Sequence, residues 1–332
     1  MLTTKAVKQI QAYCKTLQKS AVVEGSDVSK QFAISPPIET KLRLAIAHSD
    51  SFLRMLSFMS VQQISGQVVD VGTGALLTGR VKDGRFRSKV GIDGNTYTLV
   101  ETDSCATITW EQLTQWANAG SSGDFTKLMN NAITRNFALD ILRVGFHGVS
   151  VAETTDPTTY PLGQDVNKGW LQIAKEKKPG QVLPSADLDP TGAVADSFKN
   201  LDSLANDLKN QVIHEVHQES PDLVVLVGRD LVAAEQHRLL EAADKPTEHE
   251  AAQSLSDSIA GMKAYTPPYF PAKQIMITSL KNLQVLDQEG TQWRKARNEE
   301  DRKQFENSWL RMEGYAIGDL DKFAAIETVT VH

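Results

Sequence analysis

The sequence predicts a mixed α+β fold, on three observations. Phe125, Leu128, Met129, Ala132, Ile133, Phe137, Ile141 and Val144 keep one face apolar over about five turns, as a long amphipathic helix does. Leu223-Val-Val-Leu-Val227 is an unbroken apolar run closed by Gly228, with helical spacing from Leu231 onward. A buried strand between helices implies an α/β layer. Residues 61–109 place Gly66, Gly72, Gly74, Gly79, Gly84, Gly91 and Gly94 among short β-branched runs. Asp93-Gly94-Asn95 there is a hairpin-turn signal.

Composition bounds the rest. The chain has 332 residues, with 35 Lys+Arg against 41 Asp+Glu and a formal net charge of −6. At 41% hydrophobic and 23% charged it is neither disordered nor fibrous. Mild acidity argues against a surface that coats nucleic acid throughout. The length suggests about two domains. Cys14 and Cys105 are too few for a disulfide framework or a four-cysteine metal site, so two free thiols are expected. No window approaches the roughly 20 apolar residues of a membrane span. Lys5 and Lys8 have no apolar core after them, so no secretory signal is expected.

Element by element, residues 1–23 hold Lys5, Lys8, Lys15 and Lys19 and no acid. Val7, Ile10, Cys14 and Leu17 give them one apolar stripe, so a basic amphipathic helix is expected. Such a helix packs on its own domain, docks on a partner protein or lies on a membrane. Phe32 to Pro37 read as extended, and 38–59 as helical with a break near His48-Ser-Asp50. Residues 1–60 therefore read as an arm. Residues 61–109 read as a long two-stranded excursion that cannot bury a core alone. Its tip, residues 80–89, holds Arg80, Lys82, Arg85, Phe86, Arg87 and Lys89 with the single acid Asp83. Gly145-Phe-His-Gly148 stops the long helix. Residues 151–195 are loop-rich around an apolar knot at Trp170, Leu171 and Ile173. A second long helix is expected over 197–218, stopped by Pro221. Pro267-Pro-Tyr-Phe-Pro271 is a rigid turn into a strand at 274–278, charge of both signs fills 294–313, and 323–331 reads as a strand.

Candidate chemistry does not assemble. Val71-Gly-Thr-Gly-Ala-Leu-Leu-Thr-Gly79 lacks the glycine spacing of a dinucleotide loop. His214-Glu-Val-His217 spaces its histidines at i and i+3, where a zinc protease helix needs i and i+4. His147 sits where a charged imidazole would favour a helix C-terminus. Asp319 and Asp321 have no evident base or metal partner and read as a turn. No catalytic residues, cofactor or metal are expected. The basic tip holds one aromatic residue, too few for a nucleic-acid platform. An acidic patch on another protein suits it better, and a solvated tip remains the plain alternative.

Longer motifs carry a resemblance. Gly145-Phe-His-Gly-Val-Ser-Val-Ala-Glu-Thr-Thr-Asp156 with Pro161-Leu-Gly-Gln-Asp-Val-Asn-Lys-Gly-Trp-Leu-Gln172 resembles the major capsid protein of Peduovirus-type tailed phages, the P-two-like myophages. Pro221 to Arg229, Pro268 to Ala272, and Glu306-Asn-Ser with Tyr315 to Asp321 match in the same order. The matches span roughly residues 27–328. His147 departs from the family, which more usually has Asn there.

The resemblance implies the tailed-phage/herpesvirus capsid fold of HK-ninety-seven type. Its implied parts are an N-terminal arm (1–60), an extended β-hairpin loop (61–109), a peripheral domain (110–194 and 316–332) with a spine helix at about 124–146, and an axial domain (195–315). Residues 1–32 would be the scaffold-interacting or cleavable segment. The implied function is a structural, non-enzymatic shell protein that self-assembles into hexamers and pentamers around double-stranded DNA. The implied partners are further copies of itself, an internal scaffold/protease protein, the portal protein and DNA held without sequence-specific binding; no membrane is involved. The implied location is the virion capsid, assembled in the bacterial host cytoplasm. Arg80, Lys82, Arg85, Phe86, Arg87 and Lys89 are the expected contacts with an adjacent subunit. A satellite-element shell protein, an encapsulin-type compartment and an intracellular α/β enzyme with a hairpin lid stand as alternatives.

Overall fold

Local chemistry sets the element boundaries in the computed structural model, which describes residues 2–68, 78–86, 95–242 and 257–332. The chain divides into two units. One comprises Met1–Ile64, Thr98–Leu142 and Val285–Gly314, the other Ser65–Tyr97, Arg143–Gln284 and Tyr315–His332.

The first unit is built on a sheet ordered β1 (Phe32–Ala33), β12 (Trp293–Glu299), β13 (Gln304–Ile317), β11 (Leu283–Gln288) and β2 (Ser57–Val61), with β5 (Val100–Thr109) also paired to β13. Burial alternates along β13, so Phe305, Asn307, Trp309, Arg311 and Glu313 face inward. Helix α1 (Thr4–Gln18) covers that face: the Tyr13 ring meets Phe305 edge-on at 6.1 Å, and its hydroxyl accepts from Asn307 at 2.9 Å. The buried stripe of α1 is Ala6, Ile10, Tyr13 and Leu17, while Val7 is exposed. It is rotated from the expected stripe because Tyr13 is the residue that reaches the sheet. The arm helix thus packs on its own unit and leaves Lys5, Lys8, Lys15 and Lys19 exposed.

Proline opens α2 (Pro36–His48), as suits a first helical turn. A capping box of Thr109 and Gln112 starts α3 (Trp110–Asn118). Residues 100–109, expected in the excursion, belong instead to this sheet: they pair with β13 from Thr109↔Gln304 to Val100↔Glu313. The long helix is α4 (Ser122–His147), roughly 39 Å at 1.5 Å per residue. Phe137 stacks on Trp309 at 5.9 Å, while Leu128 stays exposed.

The second unit contains a six-stranded sheet ordered β6 (Val182–Leu188), β14 (Ala324–Val331), β10 (Ile275–Ser279), β7 (Leu223–Val227), β9 (Met262–Tyr265) and β8 (Ser258–Ile259). All five residues of β7 are buried, as their unbroken apolar run requires. Its core takes Leu201, Leu204 and Leu208 from α6 (Leu201–Val212) and Leu231 from α8 (Arg229–Ala242). The helix expected over 197–218 is shorter. Ile213 turns extended, the His214 N–H donates to the Asp321 carbonyl, and His214 Nδ1 then caps α7 (Glu215–Gln218), leaving Val216 exposed. The C-terminal strand runs parallel to β6 and antiparallel to β10. Residues 316–332 therefore share a sheet with much of 195–284, whereas 285–314 join the unit holding 110–142. This grouping crosses the expected boundary at 194/195.

Candidate assembly surface

The motif at 145–172 is a packing knot. The indole of Trp170, at the start of α5 (Trp170–Lys177), is fully buried and donates to the Gln284 carbonyl at 3.0 Å. Phe146 and Tyr315 meet it edge-on at 5.1 and 5.4 Å. A Cβ at Gly145 would lie 2.5 Å from that ring, and one at Gly148 would lie 2.1 Å from the Asn167 carbonyl oxygen. These glycines serve close approach. Burial pushes the His147 imidazole below its ordinary pKa, which opposes a charged cap; its Nε2 meets the Tyr269 carbonyl at 2.7 Å.

A short ladder of β3 (Ser65–Gln67) and β4 (Thr96–Thr98) forms the root of the excursion. Gly66 lies against the Tyr97 ring, where a Cβ would stand 2.7 Å from the hydroxyl. Asn95 is no turn residue: it is buried, donates to the Ile317 carbonyl at 2.6 Å and accepts from Lys177 Nζ at 2.8 Å. Lys177 also donates to the Thr96 carbonyl, and burial pushes its ammonium pKa down. The Val68 N–H donates to the Asn95 carbonyl at 2.8 Å, so Val81 and Lys82 stand midway along the excursion. Arg80, Val81, Lys82, Arg85 and Phe86 are all exposed. The Phe86 ring lies over Gly79. Arg87, Lys89, Asp93, Gly94 and residues 71–77 lie outside the described residues.

The outward face of the first unit's sheet offers a second surface. Trp293, Leu310 and Asp103 occupy one cross-strand row, and Lys295, Ser308 and Cys105 the next. Trp293 is 41% exposed, Leu310 and Met312 are half-buried, and Glu101, Asp103 and Cys105 are exposed. Burial, with Glu306 and Asp103 nearby, pushes the Cys105 thiol up.

The inward face of the same unit holds charges that the sequence did not reveal. Arg43 pairs with Asp287 at 2.9 Å, and Arg311 with Glu313 at 2.5 Å while lying over Trp309. Glu39 accepts from the Gly290 and Gln292 N–H groups at 3.1 and 3.4 Å. Burial pushes the Glu39 and Asp287 carboxyls upward, although Arg43 opposes it at Asp287. The histidine pair is also absorbed structurally: His214 caps α7, and His217 Nε2 lies 2.8 Å from the Asp319 carboxylate. Asp319 thus has an imidazole partner, and Asp321 pairs with Lys178. Among the described residues no group of three or more His, Cys, Asp and Glu could hold a metal, and no helix is long and apolar enough to cross a membrane.

Residues 9–329 match the family model described as phage major capsid protein, P2 family. The chain belongs to this family. The capsid protein is 30% identical over 292 residues to the capsid proteins of Escherichia phage P2, covering 82% of this chain and 80% of that relative. It is 27% identical over 323 residues to the major capsid protein of Serratia phage KSP20, covering 93% and 92%. A chain of the satellite phage P4 procapsid, whose structure includes the size determination protein, matches with TM-score 0.71 at 25% identity, covering 88% of this chain and 100% of that one. The capsid of an empty GTA particle matches with TM-score 0.52 at 11% identity, covering 85% and 90%, a likeness of fold alone. The chain is a structural shell protein with the tailed-phage capsid fold.

Proposed function

We propose that this capsid protein assembles in the bacterial host cytoplasm, as hexamers and pentamers, into the icosahedral head that encloses double-stranded DNA. Family membership over residues 9–329 carries the reading. In this proposal residues 110–194 and 316–332 form the peripheral domain with the spine helix, and residues 195–315 the axial domain. Residues 1–32 engage an internal scaffold/protease protein, one vertex accepts the portal, and DNA is held without sequence readout. The part is structural, with no reaction assigned to it. Weak contacts repeated around a closed shell give strong assembly by multivalency.

The excursion at 65–97 supports a role between subunits. Its root strands leave alternate residues exposed, and its described tip exposes Val81 and Phe86 among basic side chains. Such a segment buries little on its own chain. Arg80, Lys82, Arg85, Phe86, Arg87 and Lys89 are the proposed contacts with an adjacent copy. Charge reversal at Arg85 and Arg87 together is expected to abolish closed shells in negative-stain micrographs. Normal shells from that variant would overturn the tip's role. A satellite-element shell protein is the second reading; the P4 procapsid likeness is to a related shell, the phage head stands first, and shell diameter tests between them.

A further inference from the structure

Helix α1 carries its charge on one side only. Lys5, Lys8, Lys15 and Lys19 are exposed and make no ion pair among the described residues. At 3.6 residues per turn they fall within about 80° of one another. Their centre lies about 140° round the helix from that of the buried residues Ala6, Gln9, Ile10, Tyr13 and Leu17. From Lys5 to Lys19 the row runs about 21 Å at 1.5 Å per residue. Tyr13, held by Phe305 and Asn307, fixes the buried side on the sheet, so the lysine side faces away from it. The first acid in the chain is Glu24, so nothing within the helix neutralises the row.

The composition of the row selects its occupant. Between the lysines stand Ala12 and Thr16, and the Thr16 hydroxyl donates to the Ala12 carbonyl at 3.1 Å. Protein interfaces are anchored by buried apolar, aromatic or Arg side chains and are depleted in Lys. A membrane would need the apolar face of the helix, which is already spent on its own sheet. A row of lysines without an apolar anchor suits a partner recognised by charge alone. The phosphate backbone of a nucleic acid is such a partner: it takes Lys as a point charge and discloses no sequence. A duplex presents roughly a dozen phosphates over the length of the row. We propose that α1 binds the phosphate backbone of double-stranded DNA through Lys5, Lys8, Lys15 and Lys19 while its apolar face stays on its own sheet. This rests on the proposed enclosure of DNA and names the surface that meets it, in chains that keep residues 1–19.

Salt dependence tests the contact. Unassembled subunits of the full chain are titrated into a fluorescein-labelled duplex of about 20 base pairs, at salt from about 50 to about 200 mM, and followed by anisotropy. Four phosphate contacts predict a slope of about −3.6 in log affinity against log salt, a loss of about 100-fold over that range. Lys5→Gln/Lys8→Gln/Lys15→Gln/Lys19→Gln should weaken binding by about tenfold or more at the lowest salt and take the slope towards zero. Gln matches Lys in helix propensity, and far-UV circular dichroism checks that the fold is kept. Arg at the same four positions should keep the slope. Removing equal charge from other exposed positions, as Lys41→Gln/Lys199→Gln/Lys263→Gln/Lys273→Gln, should leave affinity within about twofold. Equal losses from the two Gln sets, or a parent slope shallower than about −1, overturn the proposal. Displacement of the duplex by poly-glutamate at equal charge concentration also overturns it, in favour of an acidic protein. Shells that form normally from subunits that do not bind the duplex overturn the α1 contact and leave the shell function standing. Failure of the parent chain to form shells counts against that function instead.

Discussion

Trp170→Ala is the sharpest test of what holds the second unit together. The indole is fully buried, edge-on to Phe146 and Tyr315, and bonded to the Gln284 carbonyl. Large-to-small truncation of a buried Trp costs about 3–5 kcal/mol. Gly148 and Gly169 beside it pack backbone against backbone, so the site has little freedom to collapse and the upper part of that range is expected. Trp170→Phe separates ring from hydrogen bond: it keeps an apolar ring, leaves the Gln284 carbonyl without its donor and costs about 1–3 kcal/mol. Urea unfolding of unassembled subunits, followed by far-UV circular dichroism, reads both. With a slope of about 2–3 kcal/mol/M, the alanine variant should unfold about 1.5 M earlier. A shift below about 0.3 M for Trp170→Ala would show that the knot does not support the unit.

Other predictions follow from the same geometry. Gly148→Ala places a methyl against two backbone carbonyls and should cost about 3 kcal/mol or more, whereas Gly180→Ala, with open space around it, should stay within about 0.5 kcal/mol in the same titration. Glu39 has a folded-state pKa above its unfolded value, so its ionisation opposes folding: stability falls as pH rises from the unfolded value through the raised one. Glu39→Gln should therefore flatten that decline in urea midpoints measured from about pH 4 upward, and a decline as steep as in the parent would refute the burial argument. Asp189 runs the other way: its carboxylate accepts from Thr191 and from the Val194 N–H, and its pKa is lowered to about 2. Asp189→Asn should lose stability at neutral pH, with the gap to the parent closing as pH falls towards about 2.

Much of the fold was legible because some segments carry a single unambiguous period. Leu223–Val227 is apolar at every position and is a buried central strand. The stripe from Phe125 to Val144 is helical at every step and lies within α4. Strands β12 and β13 were not legible. Their inward positions include Arg294, Asn307, Arg311 and Glu313, bonded to one another, to Tyr13 and to Ser104. A buried face made of paired polar groups shows no apolar alternation, so 294–313 reads as mixed surface charge. The root of the excursion was missed because its key contact joins Asn95 to Lys177, far apart in sequence. Nothing local marks such a pair. The arm helix was found with its stripe misplaced, because Ala6 and Tyr13 read as weaker core signals than Val7 and Cys14.

The central claim is that this chain is a repeating part of a closed shell, joined to its neighbours by the 65–97 excursion. A cryo-electron-microscopy reconstruction of particles from the purified full chain tests it most directly. Five- and six-subunit capsomers in a closed shell, with density for each excursion lying on the next subunit, are the predicted result. Dispersed small oligomers, or shells in which every excursion folds back on its own subunit, would contradict it.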